Sequence, residues 1–397
     1  ASHIETADNR KVFPPDDECW VDVVEKGTNS CIMFDKSIMD ALGITEEMVS
    51  TEEGFYEACE LVKNSGYTTE NGESVIPVAL HGWIDTSLDG ILSWNFGAVP
   101  VDEEGNYRHK ELSPGYKNAL KFINNCIQKE YLDVNILTLD EAALKTYLEA
   151  GRVFCWIGNQ AQINKENTSW VSYGAIAPEN EAKGALPINQ SAGTGWIQTF
   201  VSKSCDEPEK VAEFLSWVTS EEGLMMDYYG IEGEYYTVDD KGIVTKTEKG
   251  EQELKDLYEN NILFWPFANT SFERHTEPVP DPTSNRGVEI ALMPAFGREE
   301  TTYIYDSSLV DFPDTVLEPS SDLGIKLSQV KSYLESQKAK IVTAKTDEEF
   351  ETEYNNMVST LEDYSIADID AAYDEVYKTN CENTGNKIED INADLYK

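Results

Sequence analysis

Two tryptophans and two side-chain amides in the middle of the chain have the chemistry of a site for an uncharged polar molecule. Trp156, Asn159 and Gln160 stand at the end of a predicted strand, residues 152–157, and Trp196 begins another predicted strand. Indole rings offer flat apolar surfaces, and amides both donate and accept hydrogen bonds. In an α/β sheet the ligand usually meets the strand ends. The mixture favours a neutral polyhydroxylated or peptide-like solute over a reaction centre.

A second strand end carries similar side chains. The apolar run 75–80 predicts a buried strand, and Trp83 and Asp85 follow it. An aromatic ring beside a carboxylate can stack on a sugar face and accept its hydroxyl protons. Both residues are therefore further candidates for ligand contact.

Three more candidates lie farther from the strand ends. Asp89 and Trp94 belong to a predicted helix, residues 88–96. Trp265 lies in 262–320, a span rich in Pro and aromatic residues that is predicted to be irregular. A long irregular span in a folded protein is usually functional, so this ring could cover the site.

The motifs of the common enzyme classes do not occur in the sequence. It contains no G-x-S-x-G, H-E-x-x-H or Walker A motif, and Gly193 and Gly195 lack the third glycine of a dinucleotide loop. The four histidines are scattered, which predicts no metal cluster. We therefore expect no catalytic residue, no metal and no cofactor. A glycosidase needs only two carboxylates, so with 74 acidic residues a two-carboxylate glycoside hydrolase remains an alternative.

Length, charge and cysteine usage limit the class of protein. The 397 residues are enough for two domains, and 40% hydrophobic residues indicate a globular chain. The net charge of −43 argues against nucleic acid and anionic membrane surfaces as partners. The odd count of seven widely spaced cysteines argues against a disulfide framework, and Cys59, Cys126 and Cys155 occupy apolar periodic positions typical of a core. No run reaches the roughly 18 apolar residues of a membrane span.

Periodicity and turn residues predict an α/β chain with a helical C-terminus after residue 320. A hairpin is predicted at 235–247. Further strands are predicted at 31–34, 172–177 and 196–202. The predicted helix starts, in chain order, are Ser50 with Glu53, Ser113 with Pro114, Asp206 with Pro208, Ser220, Thr346 with Glu349, and Ser365.

Several segments also carry a family pattern in its order along the chain. Residues 30–42, SCIMFDKSIMDAL, are similar to a strand and helix of the pattern Tyr/Ile-x-Asn-Lys-Asp-Leu, with Phe34-Asp35-Lys36 in place of Tyr-Asn-Lys. The other matching segments are 43–61, 149–157, 173–178, 195–202, 209–230, 231–242 and 348–377. Together they resemble the family 1 extracellular solute-binding proteins of ABC importers, especially the lipoprotein-type, maltodextrin-binding-protein-like branch. The calcium loop common in that branch is not matched, because residues 69–73 (TENGE) have too few carboxylates.

The resemblance implies a two-lobed, type II periplasmic-binding-protein-like fold with hinge crossovers. Residues 1–34 and 192–234 would form the remainder of lobe one, and 35–191 with 235–397 would form lobe two. The N-terminal part of lobe one and the lipid anchor would not be present in this chain.

The implied function is that of the extracellular substrate-binding component of an ABC importer. It would capture an oligosaccharide or other small sugar between the lobes and present it, as a monomer, to the membrane permease subunits. The full-length protein would be a cell-surface lipoprotein. A peptide- or amino-acid-binding lipoprotein of the same fold remains an alternative.

Overall fold

The computed structural model describes residues 26–80, 83–135, 139, 141–163, 169–189, 199–259, 267 and 270–396. By their contacts the described residues form two compact units. One comprises those of Asn189–Asp281, and the other those of Glu25–Ile188 and Pro282–Lys397. The lobe boundaries expected from the sequence stay a prediction.

The described strands, in chain order, are β1 (Ser30–Asp35), β2 (Ile76–Leu80), β3 (Val153–Asn159), β4 (Trp170–Val171), β5 (Gly184–Ile188), β6 (Tyr236–Val238), β7 (Val244–Lys246) and β8 (Thr302–Asp306).

The described α-helices are α1 (Lys36–Leu42), α2 (Glu46–Val49), α3 (Glu52–Asn64), α4 (Ser93–Asn95), α5 (Pro114–Gln128), α6 (Glu141–Glu149), α7 (Pro208–Val218), α8 (Glu221–Tyr229), α9 (Glu248–Glu259), α10 (Thr270–Thr276), α11 (Asn285–Leu292), α12 (Asp322–Val342), α13 (Asp347–Asp363) and α14 (Ile366–Thr384). A π-helix, Trp83–Leu92, precedes α4, and a short 3-10 helix, Gln160–Gln162, follows β3.

A four-stranded sheet in the order β2-β3-β1-β4 is the centre of the larger unit. β2 runs parallel to β3, whereas β1 is antiparallel to both β3 and β4. Leu80 at the end of β2 pairs with Ile157, and Ser30 at the start of β1 pairs with Asn159. The ends of β2 and β3 and the start of β1 therefore share one edge of the sheet.

The sheet is buried because its strands are almost continuously apolar. Every residue from Cys31 to Phe34 and from Val153 to Ile157 is at most 1% exposed. Phe34 packs against Phe55 of α3, which in turn contacts Phe122 of α5. Such runs are typical of strands covered on both faces.

Several local predictions are confirmed. Ser113 and Ser220 accept backbone hydrogen bonds as N-caps of α5 and α8, and Thr346 caps α13 in the same way. The predicted hairpin forms between β6 and β7, where the Asp239 carboxylate accepts from the amides of Lys241 and Ile243. The C-terminal segment is helical, as α12, α13 and α14.

Other local predictions are wrong. α3 is capped by Thr51 rather than by Ser50, and α7 begins at Pro208 with no side-chain cap. Ser365 stands before α14 with a positive φ of 59° and makes no capping hydrogen bond. Residues 199–202 are not a strand, and residues 172–177 are not either, because the pairing with β1 ends at Val171.

The span 262–320, expected to be irregular, contains α10, α11 and β8 in its described part. β8 pairs in parallel with β5, a strand that the sequence analysis did not predict. The partners are more than a hundred positions apart, from Gly184 with Thr302 to Ile188 with Asp306.

Candidate functional site

The candidate site is the edge of the central sheet where β2 and β3 end. After β2 the chain enters the π-helix at Trp83, and after β3 it enters the 3-10 helix at Gln160. The fold thus brings the two predicted strand ends to one edge, as the carboxyl ends of parallel strands require. The backbones of Trp83 and Asp85 begin the π-helix, and their side chains lie outside the described residues.

Asn159 and Gln160 form the turn that ends β3. The Asn159 side-chain oxygen accepts from the amide of Ala161 at 2.9 Å and so caps the 3-10 helix. The backbone N–H of Gln160 donates a hydrogen bond to the backbone carbonyl of Asn29 at 2.7 Å. This bond connects the turn to the residue that precedes β1. Both interactions fix the backbone at the edge.

The Gln160 side chain is only 5% exposed, yet its Oε1 has no hydrogen-bond partner. A buried acceptor without a donor costs free energy, and each such group in a native protein calls for an explanation, such as a bound water or ion. A hydroxyl or amide proton of a bound solute would satisfy this oxygen. Gln160 is therefore the described candidate with the clearest vacant hydrogen-bonding capacity.

Trp156 lies beneath this turn. Its side chain is completely buried, and its Nε1 donates to the carbonyl of Asn159 at 3.2 Å. The ring therefore supports the turn from the core and exposes no face to solvent here. Stacking of a ligand on Trp156 stays a prediction.

The remaining predicted rings are farther along the chain. Trp94 lies in α4, beyond the C-terminal end of the π-helix, where it is half-buried against the core. Trp196 and Trp265 lie outside the described residues. Their contact with a ligand stays a prediction. Among the described residues, the structure brings together the strand-end candidates.

Asp89 has a role beyond the one expected. Both oxygens of its carboxylate accept hydrogen bonds from Lys338 Nζ, at 2.9 and 2.8 Å, and one also accepts from the Tyr116 hydroxyl. The prediction that Asp89 accepts sugar hydroxyls stays a prediction, because a carboxylate has more acceptor sites than these three hydrogen bonds use. No sequence signal could have found Lys338, because it lies 249 positions away.

Four cysteines of the larger unit are core groups. Cys31, Cys59, Cys126 and Cys155 are all buried, which confirms the core positions predicted for the last three. Burial raises the pKa of Cys31 to about 12. A thiol with such a pKa stays protonated at neutral pH and is not a nucleophile.

Among the described residues no group of three or more His, Cys, Asp and Glu side chains could hold a metal ion. The segment 69–73 forms a turn, held by backbone hydrogen bonds between Thr69 and both Gly72 and Glu73.

The described part of the chain also contains no helix that is both long and apolar enough to cross a membrane.

The family model for bacterial extracellular solute-binding proteins matches residues 8–225, more than half of the chain. The chain belongs to this family. A comparison with curated protein sequences gave no match.

Solved structures of solute-binding proteins share the fold of this family member. An HMO-binding, ABC-transporter-associated solute-binding protein from Bifidobacterium longum infantis ATCC 15697 matches with a TM-score of 0.63 and 16% identity, over 89% of this chain and 74% of that one. The S. pneumoniae ABC-transporter substrate-binding protein FusA, in complex with kestose, matches with a TM-score of 0.62 and 14% identity, over 90% and 73%. The alginate-binding protein AlgQ2 matches with a TM-score of 0.57 and 12% identity, over 87% and 71%.

These similarities confirm the fold class expected from the sequence. The solute-binding protein is a mixed α/β protein of the two-lobed, type II class with a helical C-terminus. Membership of an extracellular family of binding proteins also confirms the family predicted from the order of its segments.

Proposed function

We propose that this protein is the substrate-binding component of an ABC importer and captures a soluble oligosaccharide. The observation that carries the proposal is the family match over residues 8–225. The fold adds support, because three structures that share it are named for an HMO, a kestose complex and alginate. Each of those names describes the other protein, and its extension to this chain is our inference.

The chemistry at the sheet edge agrees with such a ligand. A sugar hydroxyl can donate to the buried Gln160 Oε1 while another bonds the Asn159 side chain. Aromatic rings near a binding site stack on the C–H faces of pyranoses. We assign this contact to four tryptophans predicted from the sequence, which are Trp83, Trp94, Trp196 and Trp265, and a hydroxyl contact to Asp85. The fifth, Trp156, is buried and would act by supporting the turn at Asn159.

The protein would hold the sugar without changing it. Ligand binding would stabilise a closed arrangement of the two lobes, and the importer's permease subunits would recognise that arrangement. We further propose that the protein acts as a monomer and that its full-length form is anchored to the cell surface as a lipoprotein.

A thermal-shift and calorimetry panel tests the ligand class. We expect an oligosaccharide, drawn from fructans, alginate oligomers and HMO, to raise the melting temperature, because a ligand at a hundred times its Kd stabilises by about 2.7 kcal/mol. Short peptides and amino acids form the second arm. Stabilisation by peptides alone would replace the sugar assignment, and chromatographic detection of cleaved sugar would favour a hydrolase.

The variant Gln160→Leu tests the position of the site. Loss of a hydrogen bond to an uncharged partner should weaken sugar binding by about 0.5–1.5 kcal/mol, measured by calorimetry. Gln337→Leu is the matched control, because Gln337 is also buried but bonds Glu353 between α12 and α13. Equal affinity of the Gln160 variant and the wild type would remove this edge from the site.

A further inference from the structure

Asp89 connects the π-helix to the helices behind it. Its carboxylate bonds Lys338 of α12 and Tyr116 of α5. Its backbone carbonyl accepts from Lys110 Nζ and, at 2.9 Å, from the Ser93 hydroxyl. Four side chains from different segments of the chain therefore converge on one residue of the π-helix.

These contacts are buried. The Lys338 side chain is 4% exposed and the Asp89 side chain 20% exposed, and Tyr116 is completely buried. A buried ion pair gains little net stability, because both charges lose their hydration. Its best-attested use is to specify one arrangement of the chain over others.

A π-helix needs contacts that favour its conformation over that of an α-helix. Its i→i+5 hydrogen bonds are rare in proteins, and where they occur they are frequently at functional sites. Here the π-helix extends over ten residues, from Trp83 to Leu92. If this segment formed an α-helix instead, its first turn would lie at a different position relative to Asp89.

The first turn is the part that reaches the candidate site. Close to that turn, the Ser87 hydroxyl donates to the carbonyl of Ile157 at 2.9 Å. Ile157 belongs to β3, which ends at Asn159, and Gln160 follows. The part of the π-helix that precedes Asp89 thus connects the buried ion pair to the sheet edge.

We propose that Asp89, Lys338 and Tyr116 are positioning residues that hold the π-helix in register and so place residues 83–86 at the ligand site. We call these three residues the register lock. The ligand part of this inference rests on the proposed function, whereas the effect on the π-helix does not.

The test replaces the register lock with apolar side chains of similar size, in the triple variant Asp89→Leu/Tyr116→Phe/Lys338→Met. No buried charge is left unpaired, so the global melting temperature should stay close to that of the wild type. Hydrogen exchange in peptides covering residues 83–95 should become about tenfold faster or more, because local opening is easier without the lock. The Kd for the sugar that stabilises the wild type should rise about tenfold.

Lys117→Met/Glu351→Gln is the matched control. It removes a Lys–carboxylate pair that joins α5 to α13, with side chains 34% and 51% exposed. Exchange at residues 83–95 and sugar affinity should both match the wild type. If the triple variant does not fold, the double variant Asp89→Asn/Lys338→Met supplies the same two measurements and again leaves no buried charge unpaired.

The outcomes separate the two claims. Unchanged exchange at residues 83–95 would overturn the register lock. Faster exchange with unchanged sugar affinity would overturn the positioning of the site. If the wild type binds no sugar, the proposed function fails, and the exchange rates alone decide whether Asp89, Lys338 and Tyr116 hold the π-helix.

Discussion

Two amphipathic helices with the same kind of sequence pattern have very different surroundings. α5 buries Tyr116, Leu120, Phe122 and Ile123 almost completely. α7 has apolar residues in equivalent periodic positions, but only Val218 of this helix is buried. The Phe214 and Trp217 side chains of α7 are 42% and 41% exposed. Periodicity therefore predicts a helix and its apolar face, but not how much of that face is covered.

Buried hydrogen bonds also distinguish α5 from α7. In α5 the buried Asn124 amide donates to the carbonyls of Val342 and Ala344, at 3.0 and 2.8 Å, where α12 ends. These hydrogen bonds join α5 to the end of α12, in addition to the apolar contact of Phe122 with Phe55 of α3. The rings of Phe214 and Trp217, by comparison, lie 6.5 Å apart on one exposed side of α7.

The largest effect should come from the buried helix. Phe122→Ala in α5 should lower the free energy of unfolding by about 3–5 kcal/mol, because it removes a fully buried ring and leaves a cavity. Urea unfolding followed by circular dichroism measures the loss. A loss below about 1 kcal/mol would show that α5 is not packed as described.

The sequence predicted those parts of the fold that depend on local patterns. The apolar run at Cys31–Phe34 and the caps at Ser113 and Thr346 need only neighbouring residues to take effect. The parallel pair of β5 and β8 depends on residues more than a hundred positions apart, and no local pattern encodes it. Ser365 is a favoured capping residue, yet here its hydroxyl accepts from Lys326 of α12 instead.

The candidate site was predictable to a similar extent. The order of strand, polar turn and strand located Asn159 and Gln160 at an edge. Periodicity could not show that the Trp156 ring is buried, because a tryptophan at a strand end can point to the core or to solvent. The π-helix has no recognised sequence signal, and the partner of Asp89 on α12 was outside any local window.

An intermediate effect should come from pH, through the segment that leads into α5. His109 bonds the Asp370 carboxylate of α14. Burial lowers the pKa of His109, but the hydrogen bond to Asp370 and the charge of Glu111 together raise it above its ordinary value. The protonated form thus stabilises the fold below about pH 6.5, and this stabilisation is lost as pH rises through the raised pKa.

We therefore expect the free energy of unfolding to fall, through this residue, as the pH rises above about 6.5. His109→Gln should remove that part of the pH dependence, measured by urea unfolding at a series of pH values. Identical pH profiles for the variant and the wild type would mean that His109 does not gain protonation on folding.

The smallest effect should come from the exposed helix. Phe214→Ser and Trp217→Ser in α7 should each change the free energy of unfolding by no more than about 0.5 kcal/mol, as is usual for exposed positions. Binding of a hydrophobic dye should decrease, because each change removes exposed aromatic surface. Phe122→Ala in α5 is the reference, so the informative quantity is the ratio of the losses in the free energy of unfolding for the two helices. A loss of about 2 kcal/mol or more at Phe214 would mean that the apolar face of α7 is covered in solution, and the contrast with α5 would then disappear.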